Sequence, residues 1–375
     1  MTRFDVAVIG GGIAGTSAAF FLSDRCSVVV LEREPTLGVH ATGRSAAVFT
    51  ECYGKPVVRR LAIASHEFLA GPPDGFSDVP LLSERGISFV ATHDQADRLD
   101  ASIAEQQALV PSVRGLSAAE AVELCPVLDA DVVAGAVLEP GAMDLDVHAL
   151  HSGFQRGVRQ RGGEIRSGCG LTAAERAGDE WLIRTGEDQV RAGVLVDAAG
   201  AWCDEVAAAA GVTPIGLVPK RRTAFTFAAP PESTPRSWPM VVDLDERYYF
   251  KPEGPGILAS PADATPVEPH DVRHREEDVA LGIERIQSVT TMSIRTVQSA
   301  WAGLRSFVHD EQPVNGWDDE VPGFYWLAGQ GGFGIKTSPA MGSYAAAMIL
   351  DGMPHEDHLA NGLDPASLGV ERLHH

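Results

Sequence analysis

Cysteine, tyrosine and positive charge are all scarce in this 375-residue chain. The five cysteines (Cys26, Cys52, Cys125, Cys169, Cys203) are odd in number, widely spaced and without a CxxC pair. That pattern excludes a disulfide framework or zinc ribbon and fits a reducing, cytoplasmic setting. Basic residues number 30 against 51 acids, a net charge of −21. A nucleic-acid partner needs clustered cations, so none is expected. No apolar run approaches the ~20 residues of a membrane-spanning helix, so no integral membrane segment is expected. The N-terminus passes from Arg3 into a short apolar run ending in glycine, a strand rather than the apolar core of a secretory signal. What is plentiful is apolar residue, 45%, enough to build a large core over two or three domains.

The first segment with a chemical signature is VAVIGGGIAGTSAAFFLSDRCSVVVLERE, residues Val6–Glu34. Val6–Ile9 reads as a buried parallel strand. Gly10-x-Gly12-x-x-Gly15 follows: Gly10 for a tight turn, Gly12 for close approach of a pyrophosphate, Gly15 for close helix–strand packing. The helix that begins there turns its free N–H groups and positive dipole end toward the phosphates. Ala14, Ala18 and Ala19 suit packing on the sheet. A second strand, Ser27–Leu31, ends at Glu32, placed to accept hydrogen bonds from a ribose. Strand, turn, helix, strand and acid in register predict dinucleotide binding, and the acid favours FAD or NAD over NADP.

The motif alone does not separate FAD from NAD; the downstream segments do. GVHATGRSAAVFTECYG (Gly38–Gly54) is rich in small residues and carries Arg44 and Ser45 beside a second approach to a pyrophosphate. VLVDAAGAWCD (Val194–Asp204) and FYWLAGQGGFGIKTSPAMG (Phe324–Gly342) each run from an apolar strand into glycine and small residues. Further glycine turns so late in the chain suit a long cofactor buried along its whole length.

On the runs Ala41–Ala47, PKRR (Pro219–Arg222), WAGLRSF (Trp301–Phe307) and QGGFGIKTS (Gln330–Ser338), the chain resembles the D-amino-acid oxidase superfamily of FAD-dependent oxidoreductases, and within it the bacterial D-arginine dehydrogenase type. The resemblance spans nearly the whole chain. It implies an α/β fold, α+β overall: a Rossmann-like FAD-binding domain with an inserted substrate domain on a mixed β-sheet. The implied division is 1–80, 145–215 and 305–375 for FAD, and 81–144 and 216–304 for substrate. It implies non-covalent FAD held by Gly10–Gly15, Glu32, Arg33, the run Thr42, Gly43, Arg44, Ser45, Ala46, Ala47 and Val48, then Leu171, Gly200 and Trp202. Gly331, Gly332, Gly334, Ile335, Lys336 and Thr337 would line the flavin's pyrimidine side.

The implied chemistry is oxidation of a D-amino acid at Cα, with hydride passing to the flavin and the imino acid hydrolysed to a 2-oxo acid and ammonia. Arg222 and Arg305 are the candidates to hold the substrate carboxylate, where a guanidinium fork is the best-matched donor. Arg221 and Arg222 are neighbours on a strand and point to opposite faces; the resemblance points to Arg222 for the pocket. Tyr53 and Tyr249 are the phenols at the substrate, and alternation again sends one of Tyr248 and Tyr249 inward. Two positions depart from the arginine-type pattern: Val48 removes a proton carrier, and Lys336 either reaches the flavin N1–C2 edge or points to solvent. Position 87 is Ile87, where cationic substrates need a carboxylate, so a neutral, apolar side chain is expected unless Glu51 supplies the acid from another wall. A secondary amine, a 2-hydroxy acid, or a flavin-binding redox sensor without turnover remain the alternatives. Oxygen or a quinone as electron acceptor is left open.

The rest of the chain supplies the frame. Lys55–Leu69 reads as a helix, Gly86–Thr92 and Val132–Leu138 as strands. Asp94 can cap a helix to about Leu109, and Ser117-x-x-Glu120 is a capping box. Asp146 caps a helix whose Val147, Leu150, Phe154 and Val158 share an apolar face, ended by Gly162–Gly163. His148 and His151 read as its solvated side, and His270–Asp278 as a charged loop.

Overall fold

A computed structural model of the chain describes residues 2–186, 188–231 and 235–374; the expected domain limits that take in 187, 232–234 or 375 extend past them. Strand Thr2–Ile9 lies inside an eight-stranded sheet, parallel to Val28–Leu31 on one side and to Asp188–Asp197 on the other. Glu164–Arg166 extends the first side. Strand Asp188–Asp197 forks: its start pairs antiparallel with Glu180–Thr185, and its end pairs parallel with Phe324–Ala328. A parallel centre covered on both faces explains why Val28–Leu31 and Phe324–Ala328 are apolar and buried throughout.

One face of this sheet carries helices Ile13–Leu22, Pro56–Ala70, Val147–Gln160 and Gly334–Leu350, which share a core with Val6, Val8, Phe154 and Tyr344. Small residues bring these helices close. A Cβ on Gly342 would stand 2.7 Å from the Ser17 backbone, and one on Gly157 would overlap the Phe20 ring. The other face packs Trp181, Phe324 and Trp326 into a second cluster.

The second sheet has nine strands. Its order is Thr265–Pro266, Val218–Ala228, Gly256–Ser260, Tyr249–Glu253, Met240–Asp243, Ile87–Thr92, Val133–Glu139 and Arg114–Ser117, with Val297–Phe307 also paired to Val218–Ala228. Met240–Asp243 and Ile87–Thr92 run parallel among antiparallel neighbours, so the sheet is mixed, as expected. Strand Val297–Phe307 runs unbroken across residue 304. Gly303 therefore sits mid-strand, opposite Arg222.

Local chemistry explains the other departures. The helix expected from Asp94 begins at Ala96, after a 3₁₀ turn closed by a Thr92–Gln95 capping box. Asp94 accepts instead from the Thr92 hydroxyl. The charge run is loop only to Arg275: helix Glu276–Gln287 starts inside it, with Glu276, Glu277 and Asp278 on its positive end. Helix Cys203–Ala209 carries no signal that set it apart from the glycine turn before it. The capping box at Ser117–Glu120 and the Asp146 side chain, which accepts from the Ala149 N–H, cap their helices as expected.

Candidate active site

The glycine turn after Thr2–Ile9 opens onto a cavity of about 570 Å³ that runs between the two sheets' edges. Gly10 has φ +107°, and a Cβ there would lie 2.5 Å from the Ala198 carbonyl oxygen, so both its conformation and its surroundings demand glycine. A Cβ at Gly15 would overlap the Gly10 carbonyl. Gly12, Ala14 and Ile13 line the cavity at the start of helix Ile13–Leu22. Thr42 Oγ1 accepts the Ile13 N–H at 3.0 Å and so ties the small-residue run to that helix end. One Glu32 oxygen accepts from the Gly11 N–H at 2.7 Å, the other from the Glu34 N–H at 2.8 Å. Both bonds fix the carboxylate, and its remaining lone pairs are open to a ribose. The Arg33 guanidinium stacks 4.1 Å over the Trp202 ring.

The far wall is formed by Gly200–Trp202, Gly170–Thr172 and residues 329–335. A Cβ on Gly331 would overlap the Phe307 ring, and one on Gly332 would meet the Arg305 guanidinium at 2.8 Å. Helix Gly334–Leu350 starts here without a side-chain N-cap, presenting N–H groups and a dipole end to the cavity. Gln330 Nε2 is buried with no partner. A long groove with two helix N-termini, an acid at one end and an orphaned amide donor fits a dinucleotide cofactor over its full length. Arg44 lines this groove, but its guanidinium is engaged by Asp271, the Val272 carbonyl (2.8 Å) and the Ala302 carbonyl (3.1 Å). It therefore fastens the small-residue run to the second sheet and has little donor capacity left for a pyrophosphate.

At the other end, Arg222 and Arg305 share a face of the Val218–Ala228/Val297–Phe307 pair, since Arg222 lies opposite Gly303 and Arg305 opposite Lys220. Arg222 Nε donates to the Asp263 carbonyl at 2.6 Å. Among the described residues the Arg305 guanidinium has no hydrogen-bond or ion-pair partner. Burial, and the neighbouring Arg305, hold the Arg222 guanidinium below its ordinary pKa. Arg221 turns the other way into a buried pair with Asp278 at 2.8 Å and Asp263 at 3.7 Å. The clamp positions are thus two cations side by side in a chain of −21 net charge.

Tyr249, 7% exposed, borders both the large cavity and a smaller one of about 70 Å³. Tyr248 faces the core of the second sheet, its hydroxyl buried without a partner. The smaller cavity is walled by Ile87, Phe89, Met240 and Val242, with Tyr53, Arg305, Val48 and Lys336 around it. The Tyr53 hydroxyl donates to Glu246 at 2.7 Å, and burial pushes this phenol's pKa up. Lys336 is 4% exposed and does not reach solvent; its Nζ donates to the carbonyls of Thr50 and Tyr53, each at 2.8 Å. Thr337 is buried behind it on the same helix. Glu51 turns to His66, 3.3 Å away, and is not among the walls of either cavity. Glu51 therefore supplies no acid to either cavity wall.

Four contributors escaped the sequence reading. His151 is 7% exposed, with Nε2 2.9 Å from the Gly11 carbonyl; it props the glycine turn from below rather than facing water. Its signal was present, because i+4 from Val147 falls inside the apolar stripe. Glu139 accepts from the Thr50 hydroxyl at 2.5 Å and the Glu51 N–H at 3.0 Å, holding the Tyr53 loop. Gln330 stands first in the run QGGFGIKTS, of which only the residues from Gly331 on were assigned to the cofactor; Glu246 has no local signal, and a fold is needed to bring it to Tyr53.

The family model described as "DAO: FAD dependent oxidoreductase" matches residues 5–348. Among curated proteins, the chain is 26% identical to FAD-dependent oxidoreductase domain-containing protein 1 of Bos taurus, over 93% of this chain and 82% of that one. It is 23% identical to glycine oxidase of Geobacillus kaustophilus (strain HTA426), over 92% and 93%. It is also 24% identical to mitochondrial dimethylglycine dehydrogenase of Rattus norvegicus, over 98% of this chain but 45% of that protein. The crystal structure of glycine oxidase from Geobacillus kaustophilus superposes with a TM-score of 0.85 at 22% identity, covering 99% of both chains. L-proline dehydrogenase from P. horikoshii gives 0.83 at 20%, covering 100% of this chain and 98% of that one.

Proposed function

We propose, from the premise that this chain belongs to the DAO family of FAD-dependent oxidoreductases, that it deaminates D-amino acids with neutral, apolar side chains. FAD is the cofactor, and amines or amino acids are the substrate class. Within that class, one observation carries the reading: the two guanidinia of Arg222 and Arg305 converge on the cavity, and Arg305 has no anionic partner among the described residues. A carboxylate between them would relieve their mutual repulsion and accept a bidentate fork.

FAD held in the groove by Gly10–Gly15 and Glu32 would supply the acceptor for the hydride that leaves the substrate's Cα. Arg305 and Arg222 fix the carboxylate, and so set which Cα substituent faces the cofactor groove. Tyr249 borders both cavities and would bound the reacting carbon where they meet. Ile87, Phe89, Met240 and Val242 enclose the side chain in apolar surface, where a charged group would be buried without a partner. Tyr53, bonded to Glu246, closes the wall toward solvent and limits competing water. The D configuration rests on the runs 41–47, PKRR, WAGLRSF and QGGFGIKTS.

The same apolar cavity would take an N-methyl group or a pyrrolidine ring, so oxidation of a secondary amine is the second reading. One anaerobic titration tests both. The FAD-loaded protein should lose its yellow absorbance with D-methionine or D-leucine and keep it with the L-isomers. Bleaching by sarcosine or proline in place of these would favour the second reading, and bleaching best with D-arginine would overturn the apolar pocket.

A further inference from the structure

Lys336 is the one charged residue of the smaller cavity besides Arg305, and it has no ion-pair partner among the described residues. Its Nζ has two acceptors, the carbonyl oxygens of Thr50 and Tyr53. An ammonium has three hydrogens and no lone pair; a neutral amine has two hydrogens and one lone pair. Two acceptors match the neutral amine and leave its lone pair free. The rings of Tyr53 and Phe333 pack at 5.7 and 5.5 Å from Nζ, so an ammonium, once formed, has π faces to rest against.

We propose that Lys336 is the proton acceptor for the substrate ammonium. The step rests on the amino-acid reading of the site. One N–H bond of the substrate breaks and one Nζ–H bond forms, giving a neutral substrate amine and a Lys336 ammonium. The freed lone pair on the substrate nitrogen is what allows the Cα–H bond to give up its electron pair, since the positive charge of the iminium can then form.

The groups that face Lys336 come from four elements. They are Glu139 on Val133–Glu139, Glu51, Cys52 and Tyr53 on the following loop of Val48–Phe49, Arg59 on Pro56–Ala70, and Arg305 across the cavity. Both Glu139 oxygens are engaged by Thr50 and Glu51, so this acid acts at a distance and forms no pair with the lysine. Burial outweighs its pull and brings the lysine down to about 7, where an acceptor for neutral-pH work belongs.

The test is the pH dependence of anaerobic flavin reduction at low substrate, with the amino acid that bleaches the wild type. The rate should rise with pH through an apparent pKa near 7. Lys336→Gln keeps two amide hydrogens for the Thr50 and Tyr53 carbonyls but has no basic lone pair. It should keep its FAD and melting temperature, lose the limb near neutrality, and fall ~10²–10⁴-fold at neutral pH. In Lys336→Ala, an added small primary amine should restore part of the rate. A Lys336→Gln protein with the wild-type profile would leave Lys336 as a positioning residue and overturn the proposal. If the variants do not fold, the wild type still decides: with two substrates whose amines differ in basicity, the limb must stay in place, and a limb that follows the substrate amine refutes the assignment. A wild type that no amino acid bleaches removes the amino-acid reading and this step together, whereas a bleached wild type with an unmoved profile removes this step alone.

Discussion

At the Gly10 end of the large cavity the hold is mostly local in the chain: the Gly11 and Glu34 N–H groups both meet the Glu32 carboxylate, and the Gly10 N–H meets the Leu31 carbonyl at 2.9 Å. At the Arg305 end, side chains do the holding. They come from strands Ile87–Thr92, Met240–Asp243, Tyr249–Glu253, Val218–Ala228 and Val297–Phe307 and from the start of helix Gly334–Leu350. The first end is a fixed shape that one family of cofactor satisfies. The second is a set of replaceable side chains on a rigid sheet, and its charges are incompletely paired. Substrate choice can therefore change by substitution at Ile87, Phe89, Met240 or Val242 without touching the cradle.

The sharpest way to break this division is Arg305→Ala. It should leave FAD content and colour intact, because none of the bonds that hold the Gly10–Glu34 segment involves Arg305. It should reduce amino-acid turnover by about 3–5 kcal/mol in kcat/KM, the cost of leaving the substrate carboxylate buried and unpaired. Steady-state kinetics beside the visible spectrum measures both, and loss of FAD in this variant would merge the two regions. Gly10→Ala is the converse. A methyl at φ +107° against the Ala198 carbonyl carries ~1–3 kcal/mol of backbone strain, and FAD affinity and melting temperature should fall together. A variant that binds FAD normally would mean that the turn is softer than its packing implies.

Lys336 sharpens the comparison through pH. Its folded-state pKa is lowered to about 7 from 10.5 by burial, so between those values the unfolded chain binds a proton that the folded chain does not. Stability contributed by this residue therefore rises with pH across that window, by at most about 1.4 kcal/mol per pH unit. Cysteines and tyrosines titrate in the same window, so the measurement is the difference in unfolding free energy between wild type and Lys336→Met at pH 7 and pH 9. The wild type should gain on the variant as pH rises. A flat difference would mean that Lys336 stays charged when folded.

The cradle was legible because its constraints are local. Gly10, Gly12 and Gly15 act within six residues of one another, and Glu32 follows at the spacing of one strand–helix–strand unit. Arg221 and Arg222 were separable for a similar reason, as a strand alternates its faces. The partners of these residues were not legible. Asp263 and Asp278 lie 42 and 57 positions from Arg221, and Asp271 lies 227 from Arg44. Nothing in an isolated carboxylate records which guanidinium it will meet. Arg44 was read toward the pyrophosphate for that reason, and His151 was read as solvated although its period placed it inside. Helix Glu276–Gln287 was hidden by a run of charge that looks like loop until its acids are seen to sit on the first turn.

The smallest effect belongs to a residue that borders the pocket without being charged. Tyr53 packs its ring edge-on to Phe333, with centroids 5.4 Å apart, and donates its hydroxyl to the exposed Glu246. Tyr53→Phe keeps the ring and removes only that bond, so about 0.5–1.5 kcal/mol should be lost. The loss should be seen in KM and in melting temperature rather than in the rate of flavin reduction at saturating substrate. If the reduction rate itself falls as far as in Arg305→Ala, Tyr53 contacts the reacting amine, and the wall described above is part of the chemistry. If only KM moves, the hydroxyl serves to hold the wall shut. The carboxylate clamp and the Lys336 lone pair would then be the groups through which this end of the molecule acts on its substrate.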